Sequence, residues 1–221
     1  MTFRSRVLTL VLCSSVQASQ AVRAIEEETV TAIALQAQHR FAENYRVDVR
    51  LVQRWSEVFQ SGERGIFQLS LSKGIDQWQF AGGYNQHFNR SVPGSEHRLW
   101  QQVRYTFDLG TSDWESSLRV EERYFTDNQE TGGRLRLLNR WSHQVGSHDE
   151  ISIGHEWVFN MNDIGTVIRR GVSQNRLISG LEHTLASGNR LDFQYQLRYV
   201  HVPASSNRIQ HQLQLTYLFN F

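Results

Sequence analysis

The residues best suited to chemistry in this chain are arginines and carboxylates spaced two apart. Arg119, Glu121 and Arg123 form one such set, and Arg134, Arg136 and Arg140 another. Arg46, Asp48 and Arg50, then Arg104, Glu156, Arg176, Glu182, Asp192 and Arg198, continue the theme. On a strand, residues two apart leave the same face. Planar guanidinium groups beside carboxylates can lock into fork-like ion pairs, and any arginine left over can take an oxyanion. Acid–base or nucleophilic catalysis needs a different arrangement, with nucleophile, base and orienting group in hydrogen-bond reach. His148-Asp149, His155-Glu156 and Glu182-His183 are sequence neighbours. Adjacent strand residues face opposite ways, so these pairs cannot act together without a turn. No histidine spacing suits a metal, and His201 and His211 fall toward loop edges. No catalytic residue, metal or cofactor is therefore expected.

The elements that carry these residues are strands. From about residue 29, segments of ten to fourteen residues alternate apolar and polar, the period-two signature of a pleated strand. Leu191, Phe193, Tyr195, Leu197 and Tyr199 point one way, and Asp192, Gln194, Gln196 and Arg198 the other. A helix would mix these two sets. Glu122, His155 and Gln101 fall on the apolar face and Trp100 on the polar one. Short connections are expected near 42–44, 73–75, 110–112, 146–148 and 187–189. Longer ones are expected near 56–63, 89–96, 126–132, 162–172 and 203–207, with Pro93 and Pro203 in the long set. The count is about eleven strands, although a single-chain bacterial barrel is expected to have an even number. Either the first segment, Thr29–Phe41, is not a barrel strand, or one division is misplaced.

Residues 1–21 read as a secretory signal, with Arg4 and Arg6 ahead of a short apolar run and cleavage after Ala21 or Ala24. Residues 22–221 then form one domain. The lone Cys13 falls inside the signal, so the mature chain has no disulfide or thiol chemistry. The formal charge of +1 falls to −1 after cleavage at Ala21, which is no footprint for nucleic acid. Mean hydropathy is −0.48. That value suits a soluble protein, but also a membrane β-barrel, in which only alternate residues meet lipid.

Three features favour the membrane. The first is the export signal. The second is a polar face rich in arginine, glutamate and glutamine with lysine almost absent, which suits a narrow lumen better than a soluble surface. The third is the C-terminus, where Leu213, Leu215, Tyr217, Phe219 and Phe221 alternate to the last residue. This ending resembles the C-terminal signal read by the outer-membrane insertion machinery, and assigns Tyr217, Phe219 and Phe221 to insertion. Trp55, Trp78, Phe88 and Trp114 lie near segment ends, as an interfacial girdle requires. The expected fold is a closed antiparallel up-and-down transmembrane barrel of about 10–12 strands, in the bacterial outer membrane.

The chain resembles the DUF2490 family of outer-membrane proteins. The resemblance is carried by Leu118-Arg119-Val120-Glu121-Glu122-Arg123-Tyr124, Arg134-Leu135-Arg136, His155-Glu156-Trp157, Gln174-Asn175-Arg176-Leu177 and the strand from His211 to Phe221. It implies fold and location and supplies no catalytic residues. Two functions stay open: a barrel that supports the envelope or passes small solutes, and a lipid-modifying hydrolase or acyltransferase. For the lumenal face, an ion-paired filling is favoured over a path for small anionic solutes. Expected partners are outer-membrane lipids, the insertion machinery and small anions, with no nucleic acid, and the expected state is a monomer. Arg123 and Arg134, flanking the loop at 126–132, are expected to be near neighbours separated by Glu121 and Glu156.

Overall fold

A computed structural model describes residues 25–56, 64–89, 96–126, 130–165, 168–201 and 207–221. The expected signal, Cys13, Pro93 and Pro203 lie outside the described residues. Eleven strands follow one another: β1 (Glu26–Phe41), β2 (Tyr45–Ser56), β3 (Arg64–Ile75), β4 (Trp78–Asn89), β5 (Glu96–Asp108), β6 (Ser112–Phe125), β7 (Thr131–Val145), β8 (Asp149–Asn160), β9 (Gly171–Thr184), β10 (Arg190–Val200) and β11 (Arg208–Asn220). Each pairs with its sequence neighbour, and β1 closes the ring against β11. The barrel thus has no free strand edge.

The expectation of an even strand number does not hold. Thr29–Phe41 is a barrel strand, and it begins three residues earlier, at Glu26. Each successive strand of an up-and-down circuit reverses direction, so an odd circuit brings its first and last strands together in parallel. β1 and β11 do run parallel, with Glu26 opposite Arg208 and Gln38 opposite Asn220. The other ten pairings are antiparallel. As a result β1 starts at the rim that carries the long loops, and β11 ends at the rim that carries the short turns.

The pleat sorts the side chains as the alternation predicts. Ile33, Leu35, Leu51, Leu99, Ile153, Phe193 and Leu213 are exposed on the outside, while Gln38, Asp48, Asn85, Glu121, Arg134, Glu156 and Gln212 are buried on the inside. This is the reverse of a soluble barrel, whose apolar face points inward. Trp55 and Phe88 lie toward the long-loop rim and Trp78 and Trp114 toward the short-turn rim, all four exposed. Around the short-turn rim Trp78, Tyr105 and Phe107 pack edge to face at 4.6 and 4.4 Å. Lys73, at the same rim, lies 5.2 Å from the Tyr45 ring.

Three of the misfit residues have a local partner, and Gln101 is exposed on the outer face. Glu122, outside, accepts a 2.6 Å bond from the Tyr124 hydroxyl. His155, also outside, is bonded to Asn175 and packs edge-on against Trp157. Trp100 points inward, where its indole N–H donates to Asn85 at 3.0 Å. Its ring occupies the place a side chain at Gly83 would need: a Cβ there would fall 2.5 Å from Trp100 Cζ2 and 2.6 Å from the Leu69 carbonyl oxygen. Gly83→Ala is therefore expected to cost about 1–3 kcal/mol by overpacking. Gly82→Ala, whose Cβ would find only the Trp100 carbonyl at 3.7 Å, should be close to neutral. Urea unfolding of the two variants checks this.

One turn lies later than the spacing suggests. β3 continues through Gly74 to Ile75, and the chain reverses at Asp76, whose φ is 53°. Gly74 stays in the ladder, with its N–H bonded to the Asn44 carbonyl at 2.9 Å. Aspartate tolerates this left-handed conformation, so the glycine does not mark the turn.

Candidate functional site

Strand register decides which charges meet inside the barrel. Pairing of β6 with β7 sets Glu121 opposite Arg134, Arg119 opposite Arg136 and Glu115 opposite Arg140. Arg123 faces Gly132 instead of Arg134, which corrects the expected juxtaposition of Arg123 and Arg134. Like charges stand opposite one another at Arg119 and Arg136, at Arg98 and Arg123, and at Arg176 and Arg198. Direct opposition of like charges is unfavourable, so each pair needs a carboxylate or another acceptor.

Three glutamates meet part of that need. Glu96 takes both nitrogens of the Arg98 fork, at 2.8 and 2.9 Å, and also the Arg123 guanidinium. Glu156 accepts from Arg136 at 2.6 and 2.9 Å and from Arg176 at 2.7 Å. Glu121 sits between them, 0 % exposed. Its Oε1 accepts from Arg136 at 3.1 Å and lies 3.9 Å from Arg119. Its Oε2 lies 3.7 Å from Arg98 and 3.8 Å from Arg134 without a hydrogen bond.

Arg119 and Arg198 make their hydrogen bonds to neutral groups. Arg119 donates to Gln102 at 2.7 Å and lies over the Trp100 ring at 4.1 Å. Arg198 donates twice to Gln196, at 3.0 and 2.6 Å. Arg134 is 7 % exposed and its Nε has no hydrogen-bond partner. Six arginines (98, 119, 123, 134, 136 and 176) thus share Glu96, Glu121 and Glu156, and Arg198 pairs with no carboxylate among the described residues. The expected filling of matched ion pairs is incomplete here, because strand pairing distributes the acids unevenly along the barrel.

The other sequence-predicted residues, Arg140, Glu182 and Asp192, lie on the same lumenal face but in the half nearer the short turns. Glu182 accepts from Arg190 at 2.9 Å and stands opposite Glu150 and Asp192. Arg46 bonds Asp48 at 2.9 Å, and Arg104 lies 3.2 Å from Glu115. Acids and arginines are near balance in this half, so among the described residues the excess of arginine over acid lies in the long-loop half.

That half also has space. A cavity of about 550 Å³ is lined by the arginine cluster, by Asn85 and His87, which stand opposite Arg98 and Glu96, and by Val52 and Ile66. Room exists because β1 turns only small side chains inward at this level: Ala32 and Ala34 pack with Val52 and Ile66 in a buried apolar patch. At the mouth, Ile164 of the β8–β9 connection is buried against Gly132, where a Cβ would lie 2.1 Å from its Cδ1. A second depression, of about 820 Å³, lies on the outer face over Gly82, between Leu71, Tyr84 and Leu99. Its mostly apolar lining suits lipid chains.

Other potential chemistry is at the periphery. The adjacent pairs read from the sequence do not form. Instead, His183 bonds Asp149 of the neighbouring strand at 2.8 Å, and His211 lies within β11, bonded to Tyr195 at 2.8 Å. Ser112 and His143 are 2.8 Å apart on the outer face at the short-turn rim, a pair that only the register brings together. Among the described residues no carboxylate bonds His143, which stacks on Trp141. No cluster of metal-ligating residues occurs among the described residues. Tyr217, Phe219 and Phe221 face outward in a row at the short-turn rim, with ring centroids 6.2 and 6.3 Å apart.

The model of a family described as "Protein of unknown function (DUF2490)" matches residues 33–216. No curated protein matches the chain. Among solved structures, it is similar to OmpT, an outer membrane protein of Vibrio cholerae. The loop-L8 deletion mutant is 12 % identical, covering 76 % of this chain and 57 % of that one, with a TM-score of 0.44. OmpT folded in vitro is 12 % identical, covering 73 % and 52 %, with a TM-score of 0.43. The chain spans a little over half the length of these proteins.

Proposed function

For a chain that belongs to the DUF2490 family, we propose the role of a narrow outer-membrane barrel that admits small anionic solutes to an arginine-lined lumen. The observation that carries this reading is the cavity of about 550 Å³, whose lining holds ten arginines and two glutamates, with Glu121 set among those arginines. A lumen that served only as filling would gain from matching those charges, since buried charge without compensation is costly. Membrane insertion is supported by the exposed apolar belt and by ring closure, which leaves no unpaired strand edge to face hydrocarbon. The outer membrane is the location that fits the expected export signal and the aromatic C-terminus.

Reversal potential in a potassium chloride gradient across a planar bilayer tests the proposal. The sign should report anion preference, because the narrow cationic zone raises local anion concentration. Cation preference would contradict it. A silent bilayer would leave the barrel a structural element of the envelope.

A further inference from the structure

The long-loop half of the lumen holds more positive charge than a single halide would neutralise, and its donors are arranged as forks. We infer that this cavity is a binding site for a small oxyanion of charge two or more, held between Arg134 and Arg198 and the Glu121-centred cluster. The inference rests on the proposed anion-admitting role and specifies what that lumen retains.

Three observations carry it. Arg134 is 7 % exposed, lines the cavity and has an Nε without a hydrogen-bond partner. Its nearest carboxylate oxygen, Glu121 Oε2, is 3.8 Å away. Arg198 is 8 % exposed, lines the same cavity and stands opposite Arg176, with only the Gln196 amide oxygen as acceptor. His87, opposite Glu96 on the neighbouring strand and lining the same cavity, also has a buried Nε2 without a partner. A guanidinium matches a tetrahedral or planar oxyanion through two parallel N–H···O bonds, a geometry that a spherical halide cannot use. A multivalent oxyanion would satisfy donors that the protein leaves unmet and would reduce the like-charge repulsion between β9 and β10.

The test uses the folded barrel in detergent micelles and reads its thermal unfolding midpoint from heat-modifiable gel mobility. The probes are inorganic phosphate and pyrophosphate at low millimolar concentration, with sodium chloride at matched ionic strength as reference. A ligand that binds only the folded state raises the midpoint with concentration. Phosphate and pyrophosphate should raise it by several degrees and chloride should not. The Arg134→Gln/Arg198→Gln variant removes two buried charges, one sharing Glu121 without a hydrogen bond and one with no carboxylate partner among the described residues. Its midpoint without probe should equal or exceed that of the parent, and the phosphate shift should disappear. A purely structural role for these arginines predicts a lower midpoint in the variant. Absence of a phosphate shift in the parent, equal shifts with phosphate and chloride, or an undiminished shift in the variant would each overturn the inference. Because the readout needs no current, it can fail while anion selectivity stands, and selectivity can fail while it succeeds.

Discussion

Glu121→Gln is expected to lower the unfolding free energy of the barrel by about 3 kcal/mol, to be read by urea titration in lipid vesicles without added oxyanion. The substitution keeps the shape of the side chain and removes its charge. Arg136 loses a 3.1 Å charged acceptor, and Arg98, Arg119 and Arg134, all within 3.9 Å, lose the anion at their centre. Breaking a buried ion pair from one side is costly because the stranded charge remains away from water. Arg134→Gln in the same background should recover part of the loss, since it removes one stranded charge. A cost below about 1 kcal/mol would mean that water in the lumen solvates the arginines, as at exposed pairs.

How much of this site is legible in the sequence depends on what each feature requires. The face of each residue follows from parity alone, and parity is enough to group Arg119, Glu121 and Arg123. It also turns Trp100 inward, although the reason that its ring fits there, the missing side chain at Gly83, lies on another strand. Which charges oppose one another follows from register, and register depends on where each loop ends. The connection between β6 and β7 runs from Phe125 to Thr131, which sets Glu121 rather than Arg123 against Arg134. The Ser112–His143 pair and the division of the lumen into a balanced half and a cationic half depend on register in the same way. The parallel seam is hidden from the sequence pattern because period-two alternation is identical in parallel and antiparallel strands. Only the complete count to eleven forces it.

Deleting Phe219–Phe221 is expected to lower the inserted yield of the barrel several-fold, to be read as the heat-modifiable fraction in the membrane. These residues close the seam: Phe219 and Asn220 pair with Ala37 and Gln38, and the Phe221 N–H donates to the Gln38 carbonyl at 3.1 Å. Phe221 stacks on His39 at 5.0 Å, and the Asn220 side chain donates to the Gly188 carbonyl at 3.2 Å. The truncation opens the short-turn end of the β1–β11 junction and exposes backbone groups where hydrocarbon cannot solvate them. It also removes two aromatic anchors from the interface. Phe221→Tyr retains the strand pairing and an interfacial ring, and should insert as the parent does. Normal insertion of the truncated chain would show that the seam tolerates an open end.

Every functional reading of this barrel requires that its apolar face meet lipid and its charged face enclose the lumen. Spin-label accessibility tests this most directly, with single cysteines at Leu118, Ile151 and Ile153 on the outer face and at Ser117 and Ser152 on the inner one. In reconstituted vesicles, labels on Leu118, Ile151 and Ile153 should relax with oxygen and be shielded from a water-soluble nickel chelate. Labels at Ser117 and Ser152 should show little oxygen enhancement. Oxygen accessibility that is highest at Ser117 and Ser152, or that does not alternate between the two sets, would contradict this arrangement.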